Sequence, residues 1–196
     1  MDFFDAYLPP LESPGAVYPQ DYHLKTLNFL TSNGNKIELK RLLRELSYYE
    51  DIYNFCVSGY IKIEDSQGFV ESLQLTGNEY LEINFGKVKD GKNRNDQIVR
   101  VYKVGDRTAS ENLNTQYYTM YFCSEELMLS EQVKVSKSYK GMKISDIVSD
   151  ILDVNLKVQD EDVENIEETT GMYDFVIPRM KPFEAISWVS MYARPK

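Results

Sequence analysis

The sequence predicts an α+β chain that is mostly β: a β-rich unit of about 140 residues, then the start of a smaller α+β unit. Three observations carry this. Tyrosine and phenylalanine are abundant, 15 and 9 residues against one Trp. Such rings suit half-buried strands and subunit contacts, where the ring packs and the phenol stays wet. Short β-branched and aromatic runs recur between residues 60 and 139. A full amphipathic helical stripe comes only beyond residue 143, as Ile144, Ile147, Val148, Ile151 and Leu152.

The elements follow in order. Residues 1–20 read as an extended arm, because Pro9, Pro10, Pro14, Pro19 and Gly15 prevent a helix. Its Phe3, Phe4 and Tyr7 are too apolar to be left in water and call for a partner surface. Asn33-Gly34 lies between apolar segments and marks a hairpin. Residues 37–50 hold a conflict: Leu39, Leu42, Leu43 and Leu46 have helical spacing, while the hairpin before them and Tyr48-Tyr49 after them argue for a strand. Tyr60, Ile61 and Ile63 form a strand ending at Asp65-Ser66, a pair suited to capping a short helix over GFVESL. Further strands are expected at Tyr80–Phe85, Ile98–Val104, Gln116–Cys123 and Glu131–Tyr139, with a loop at 87–96. Residues 143–153 are the first clear helix; Tyr173, Phe175 and Ile177 make a short strand stopped by Pro178. Pro182 opens a second helix with Phe183, Ile186 and Val189 inward. Leu39, Ile61, Ile63, Leu81, Ile83, Phe85, Val99, Val101, Tyr121 and Val133 are the expected core of the β unit.

Charge narrows the partners. A formal charge of −9 argues against a groove that works by neutralising phosphates, so no sequence-specific nucleic-acid contact is expected. The balance is uneven. Residues 87–107 carry Lys87, Lys89, Lys92, Arg94, Arg100, Lys103 and Arg107 against three acids, and Lys134, Lys137, Lys140 and Lys143 form a second basic run. Asp160, Glu161, Asp162, Glu164, Glu167 and Glu168 sit together with no base between them. Solvated loop or edge-strand charge explains all three; the sharper alternative is complementary patches between subunits. Cys56 and Cys123 read as reduced core thiols. The N-terminus lacks the basic start and apolar run of a signal peptide, and no stretch reaches the ~20 apolar residues of a membrane helix. A soluble protein assembled in a reducing cytoplasm, without stable membrane insertion, is therefore the expectation.

Catalytic patterns are missing. His23 is the sole histidine, which rules out multi-histidine metal sites and leaves any Cys–His dyad or Ser–His–Asp triad dependent on it. No phosphate loop, dinucleotide fingerprint or nucleophile elbow occurs. Asp160, Asp162 and Glu164 alternate as in a calcium loop, but Asn165 stands where the sharp turn needs glycine. No catalytic residue, cofactor site or metal site is assigned.

Two blocks together resemble a known family. Residues 48–85, YYEDIYNFCVSGYIKIEDSQGFVESLQLTGNEYLEINF, contain Y-E-D-I, an S-G turn, a strand ending in D-S and a G-x-E-x-L-x-I-x-F strand. The second block is VSKSYKGMKISDIVSDIL followed by YDFVIPRMKPFEAISWVSMYA. Their order is similar to that of baseplate hub proteins of long-tailed, T-even-like contractile-tail bacteriophages, and to the related spike proteins of type VI secretion. The resemblance covers nearly the whole chain from residue 22.

The resemblance implies an N-terminal tail-tube-like β-barrel or sandwich at 21–140, after the arm at 1–20, and a partial α+β hub domain at 141–196. It resolves residues 37–50 as strand. It implies a structural virion protein, not an enzyme: a central hub subunit joining tail tube to central spike and lining the DNA ejection channel. The implied partners are further copies of itself (a trimer), the tail tube protein, the central spike protein, and the tape measure and baseplate wedge proteins. The implied location is the tail baseplate of the virion. Hub chains of this type continue past the P-F-x-A-I helix into a second tube-like barrel, whereas this sequence stops at Lys196. Peptidoglycan-cleaving tail enzyme and tail-tip receptor-binding module are the alternatives, the first requiring an acid pair in a deep cleft.

Overall fold

The computed structural model of the chain describes residues 23–66, 68, 76–86, 94–109, 115–158 and 165–196. The expected arm, all of the expected GFVESL helix except Gly68, most of the loop at 87–96 and the acids from Asp160 to Glu164 lie outside these residues. The chain forms two compact units: residues 1–47 with 59–122, and residues 48–58 with 123–196.

The first unit is built on a seven-stranded sheet ordered β2-β1-β5-β6-β7-β4-β3. Its strands are β1 (His23–Leu30), β2 (Lys36–Glu38), β3 (Leu43–Tyr49), β4 (Ser58–Asp65), β5 (Tyr80–Gly86), β6 (Arg94–Ala109) and β7 (Gln116–Cys123). β1 runs antiparallel to β2 and β5, and β5 antiparallel to β6. The hairpin expected at Asn33-Gly34 joins β1 to β2, with Gly34 at φ 81°. The turn is longer than two residues, closed by Thr31 N–H donating to the Asn35 carbonyl at 2.9 Å.

The strand order makes the sheet curl. β2 and β3 occupy opposite edges, yet only Leu39–Leu42 separates them in sequence. Four residues span at most about 14 Å, so the edges must approach one another. Leu39 N–H donates to the Leu27 carbonyl beside one edge, and Leu42 accepts from Glu64 N–H beside the other, both at 2.8 Å. The result is a curled half-barrel. Most of residues 37–50 is strand, as the resemblance implied and against the local helical spacing, with a turn at 40–42 closed by the Leu42 N–H donating to the Leu39 carbonyl at 2.9 Å. They form two strands on opposite edges and not one long strand. The leucines divide their tasks accordingly: Leu39 is fully buried, while Leu42, Leu43 and Leu46 are half-buried on the crossing and the edge strand.

Alternation fills the inside of the sheet. Leu27, Phe29, Ile61, Ile63, Leu81, Ile83, Val99, Val101, Met120 and Phe122 are buried with Leu39. Phe85 and Tyr121, expected in this core, are only half-buried. Tyr121 points to the opposite face from Met120 and Phe122, as period-two geometry demands.

The second unit contains α1 (Glu125–Gln132), β8 (Val135–Met142), α2 (Ile144–Ile151) continued by a π-helical turn (Leu152–Leu156), β9 (Tyr173–Met180) and α3 (Pro182–Ser190). The expected strand Glu131–Tyr139 is corrected: α1 occupies its start, β8 begins at Val135, and Val133 is half-buried between them. α1 was hidden because its only buried residue is the polar Ser130, which leaves no apolar stripe to read. The compact units part at residues 122/123. Leu129, Val135 and Tyr139 pack into the second core with Ile144, Ile147, Ile151, Phe175, Ile177, Ile186 and Val189.

β8 and β9 form an antiparallel pair with two bulges. Pro178 does not stop β9. The register slips there, from Lys137↔Ile177 to Val135↔Met180, and Arg179 takes φ 51°. A bulge is where a residue without an N–H fits a strand. The other bulge places Gly141 at φ 60°, its N–H donating to Asp174 Oδ1 at 2.7 Å.

Candidate assembly surface

The turn after β3 is built by Asp51. Its Oδ1 accepts the Tyr53 N–H at 2.9 Å and its carbonyl accepts the Asn54 N–H at 3.0 Å, a local Asx-type turn. That turn carries Ile52 and Tyr53 outward, at 91% and 86% exposure, flanked by the exposed rings of Tyr49 and Phe55. Four large apolar side chains within seven residues of surface loop are what an interface presents. Phe55 is held by a parallel stack on Phe183 of α3, with ring centroids 5.1 Å apart.

A second surface lies on the outer face of β3, β4, β6 and β7. Tyr60, Tyr117, Tyr118 and Tyr121 line a groove of about 660 Å³ with Arg44, Lys62, Asp106, Thr108 and Thr119. Tyr60, Tyr102, Tyr117 and Tyr121 share this face because the strands alternate: Val99, Val101, Met120 and the buried Tyr118 turn inward, and Tyr102 and Tyr121 outward. Tyr121 packs against Tyr60 and Tyr102, centroids 6.1 and 6.3 Å away. Cations sit over these rings, Lys103 over Tyr121 at 4.7 Å and Arg107 over Tyr118 at 5.7 Å. Glu45 fixes the rim: it accepts from Tyr60 Oη at 2.5 Å and from Lys62 Nζ at 2.7 Å. The Lys62 ammonium, then the Tyr60 hydroxyl, hold the Glu45 carboxyl below its usual range. Tyr121 donates to Asp106, which raises its phenol.

The second unit has a smaller cleft, about 310 Å³, lined among others by Phe55, Cys56, Leu127, Ser130, Glu131, Lys181 and Phe183. Burial pushes the Cys56 thiol up, so it stays protonated at neutral pH and is a poor nucleophile. Cys123 is buried, and both cysteines are free thiols. His23 opens β1 opposite Gly86 in the ladder.

The basic and acidic runs are partly paired within the chain. Asp150 accepts from Lys137 at 2.7 Å and from Tyr139 Oη at 2.6 Å. Glu168 binds Lys143 and, at 2.7 Å, Lys196, and these two ammonium groups lower its carboxyl to about 2. For Lys137, Lys143 and Glu168 the plainer reading of the charge runs therefore suffices.

Sequence reasoning placed the assembly residues on the arm, at Phe3, Phe4 and Tyr7, outside the described residues. It did not single out Ile52 and Tyr53, which stand within the block 48–85 that carries the resemblance. The available signal was Glu50-Asp51, a charged pair between Tyr49 and Ile52.

No family model matches the chain. In sequence it is 28% identical over 177 residues to the probable baseplate hub protein gp334 of Vibrio phage KVP40. This chain resembles a phage baseplate hub protein. The match covers 87% of the chain and 38% of that relative, so the chain spans well under half of the hub protein's length. The similarity expected from the order of the two blocks is thus found in a named hub protein. Solved structures share the fold. The 43 kDa tail protein of prophage MuSo2 from Shewanella oneidensis aligns over 88% of this chain and 48% of its own, with TM-score 0.56 and 8% identity. The tail protein from Neisseria meningitidis MC58 aligns over 87% of this chain and 45% of its own, with TM-score 0.51 and 14% identity.

Proposed function

We propose that this chain is a structural component of a phage tail baseplate, the part of a central hub that joins the tail tube to the central spike. The observation that carries this is sequence similarity to a baseplate hub protein across 87% of the chain. The curled sheet, shared with two tail proteins, supports it. In this reading the protein works by geometry. Copies associate about the tail axis, as a trimer, with the tail tube protein on one side and the central spike protein on the other; tape measure and wedge proteins are neighbours. Its location is the virion baseplate, reached by assembly in the host cytoplasm. The formal charge of −9 suits a channel wall that does not hold passing DNA, because like charge repels the phosphates.

The same reading makes the chain catalytically inert and independent of cofactors. Burial raises the Cys56 thiol, and carboxylates at the tyrosine groove are engaged by hydroxyl and ammonium groups. Binding of the purified chain to tail tube and spike proteins, measured beside release of sugars or peptides from peptidoglycan, tests this. Binding without turnover is expected. Turnover that vanishes when one carboxylate is replaced would establish the lytic alternative.

A further inference from the structure

We propose that the loop 49–55 of one copy of this chain seats on the bare outer face of the β8–β9 pair of a second copy, so that association is head-to-tail. The inference deepens the hub reading and rests on it in one respect: that copies of the chain stand side by side.

The second unit has a helix layer and a sheet layer. Val135, Tyr139, Phe175 and Ile177 turn inward to the core shared with α2 and α3. The alternate residues of β8 and β9 therefore turn away from the helices. Nothing among the described residues covers that outer face: Ser136, Ser138 and Lys140 on β8 and Asp174, Val176 and Pro178 on β9 are all exposed. Val176 is 69% exposed although it pairs with Ser138 in the middle of the ladder. The face is also cationic. Lys134, Lys140 and Arg179 are exposed and form no ion pair among the described residues. Lys137 is matched by Asp150 of α2. Asp174 accepts the Gly141 N–H and is the acid of this face, which leaves two positive charges in excess.

The loop offers the opposite. Its Ile52 and Tyr53 are 91% and 86% exposed, held outward by the Asp51 turn, and its charges are Glu50 and Asp51. The loop is anchored on the helix layer by the Phe55–Phe183 stack, whereas the cationic face belongs to the sheet layer. Ile52, Tyr53 and Val176 are all exposed within one chain, so the loop does not cover the face of its own copy. Charge then decides the pairing. Two loops would bring carboxylates together and two outer faces would bring cations together, so each symmetric contact is repelled. Loop against face is the combination with opposite charges, and it covers both apolar centres. The two surfaces differ, so the contact is heterologous, and repetition of it generates a ring wherever the rotation closes.

The test uses two full-length variants, Ile52→Asp, which spoils the loop, and Val176→Asp, which spoils the face. Both side chains are exposed, so each variant should melt with the parent. In analytical sedimentation the parent should self-associate, and each variant alone should do so roughly 30-fold more weakly, the scale of an interface hot spot. An equal mixture of the two should form a pair of chains with the parent's affinity, because one intact loop then meets one intact face. Added salt should weaken that pair. Tyr53→Asp and Lys140→Glu make a second couple, for use if either variant melts early, and should behave as the first. Undiminished self-association of either variant alone marks a symmetric contact and would overturn the proposal. So would a mixture that stays single, or a parent of single-chain mass at every concentration. In each of these cases the hub reading is left standing, to be judged by its own binding to tube and spike.

Discussion

Leu39 donates its backbone N–H to the carbonyl of Leu27 at 2.8 Å, while its side chain is fully buried in the half-barrel. Three residues later Leu42 is bonded to Glu64 beside the far edge of the same sheet. This short crossing sets the curl. Leu39→Ala should therefore cost about 2–5 kcal/mol by leaving a cavity where the edges approach. Chemical denaturation of the parent and variant measures it. A cost below about 0.5 kcal/mol would show that the crossing is dispensable.

Gly59 makes a different packing demand. It stands in β4, where the resemblance suggested a turn. A Cβ at this position would lie 2.1 Å from the Ser47 carbonyl oxygen and 2.5 Å from the Phe122 ring. Backbone on one side and a buried ring on the other leave nothing free to shift. Gly59→Ala should destabilise by about 1–3 kcal/mol, and pairing it with Phe122→Leu should recover little, because the carbonyl clash remains. Thermal melting of the single and double variants checks both expectations.

Glu79 governs acid sensitivity. It is 3% exposed, and its carboxylate accepts from the N–H and hydroxyl of Thr76 at 2.6 and 2.9 Å and from Gly77 N–H at 2.8 Å. Burial pushes its carboxyl up, but these donors outweigh burial and leave it below its ordinary value of 4.5. A carboxyl lowered by folding contributes stability that is full above the ordinary value and is lost as pH falls through the folded value. Glu79→Gln should cost about 1–3 kcal/mol at neutral pH, because one carbonyl oxygen replaces two acceptors. It should also flatten the loss of stability below pH 4.5, the ordinary value of this group. Denaturation curves across the acid range read both effects.

Tyr139 reports on the second unit. Burial, then its bond to Asp150, pushes its phenol well above the ordinary tyrosine value. Tyr139→Phe should cost about 1.5–3 kcal/mol, the worth of a hydrogen bond to a charged acceptor. In an alkaline spectrophotometric titration the parent should show one more late-ionising tyrosine than the variant. Identical titration curves would contradict the network.

Much of the fold was legible in residue patterns, and the failures have definite causes. Ile61, Ile63, Leu81, Ile83, Val99 and Val101 alternate strictly, and all are buried. Ile144, Ile147 and Ile151 repeat at helical spacing and form a helix face in the second core. Residues 37–50 misled by local spacing, because their leucines serve a crossing and an edge strand whose partners are distant in sequence. α1 escaped because a helix buried through a serine has no apolar period. The groove was illegible for a similar reason: Tyr60 and Tyr121 are brought together by sheet order, which no local window contains. The exposed loop went unremarked, since only the Asp51 turn aims Ile52 and Tyr53 outward.

The central claim, that this chain is a structural hub component, is tested most directly by imaging tail particles that carry a labelled copy of it. Label density on the tail axis, between tube and spike and repeated about the axis, is the predicted result. Density confined to peripheral fibres, or particles that assemble complete baseplates without the chain, would contradict the account.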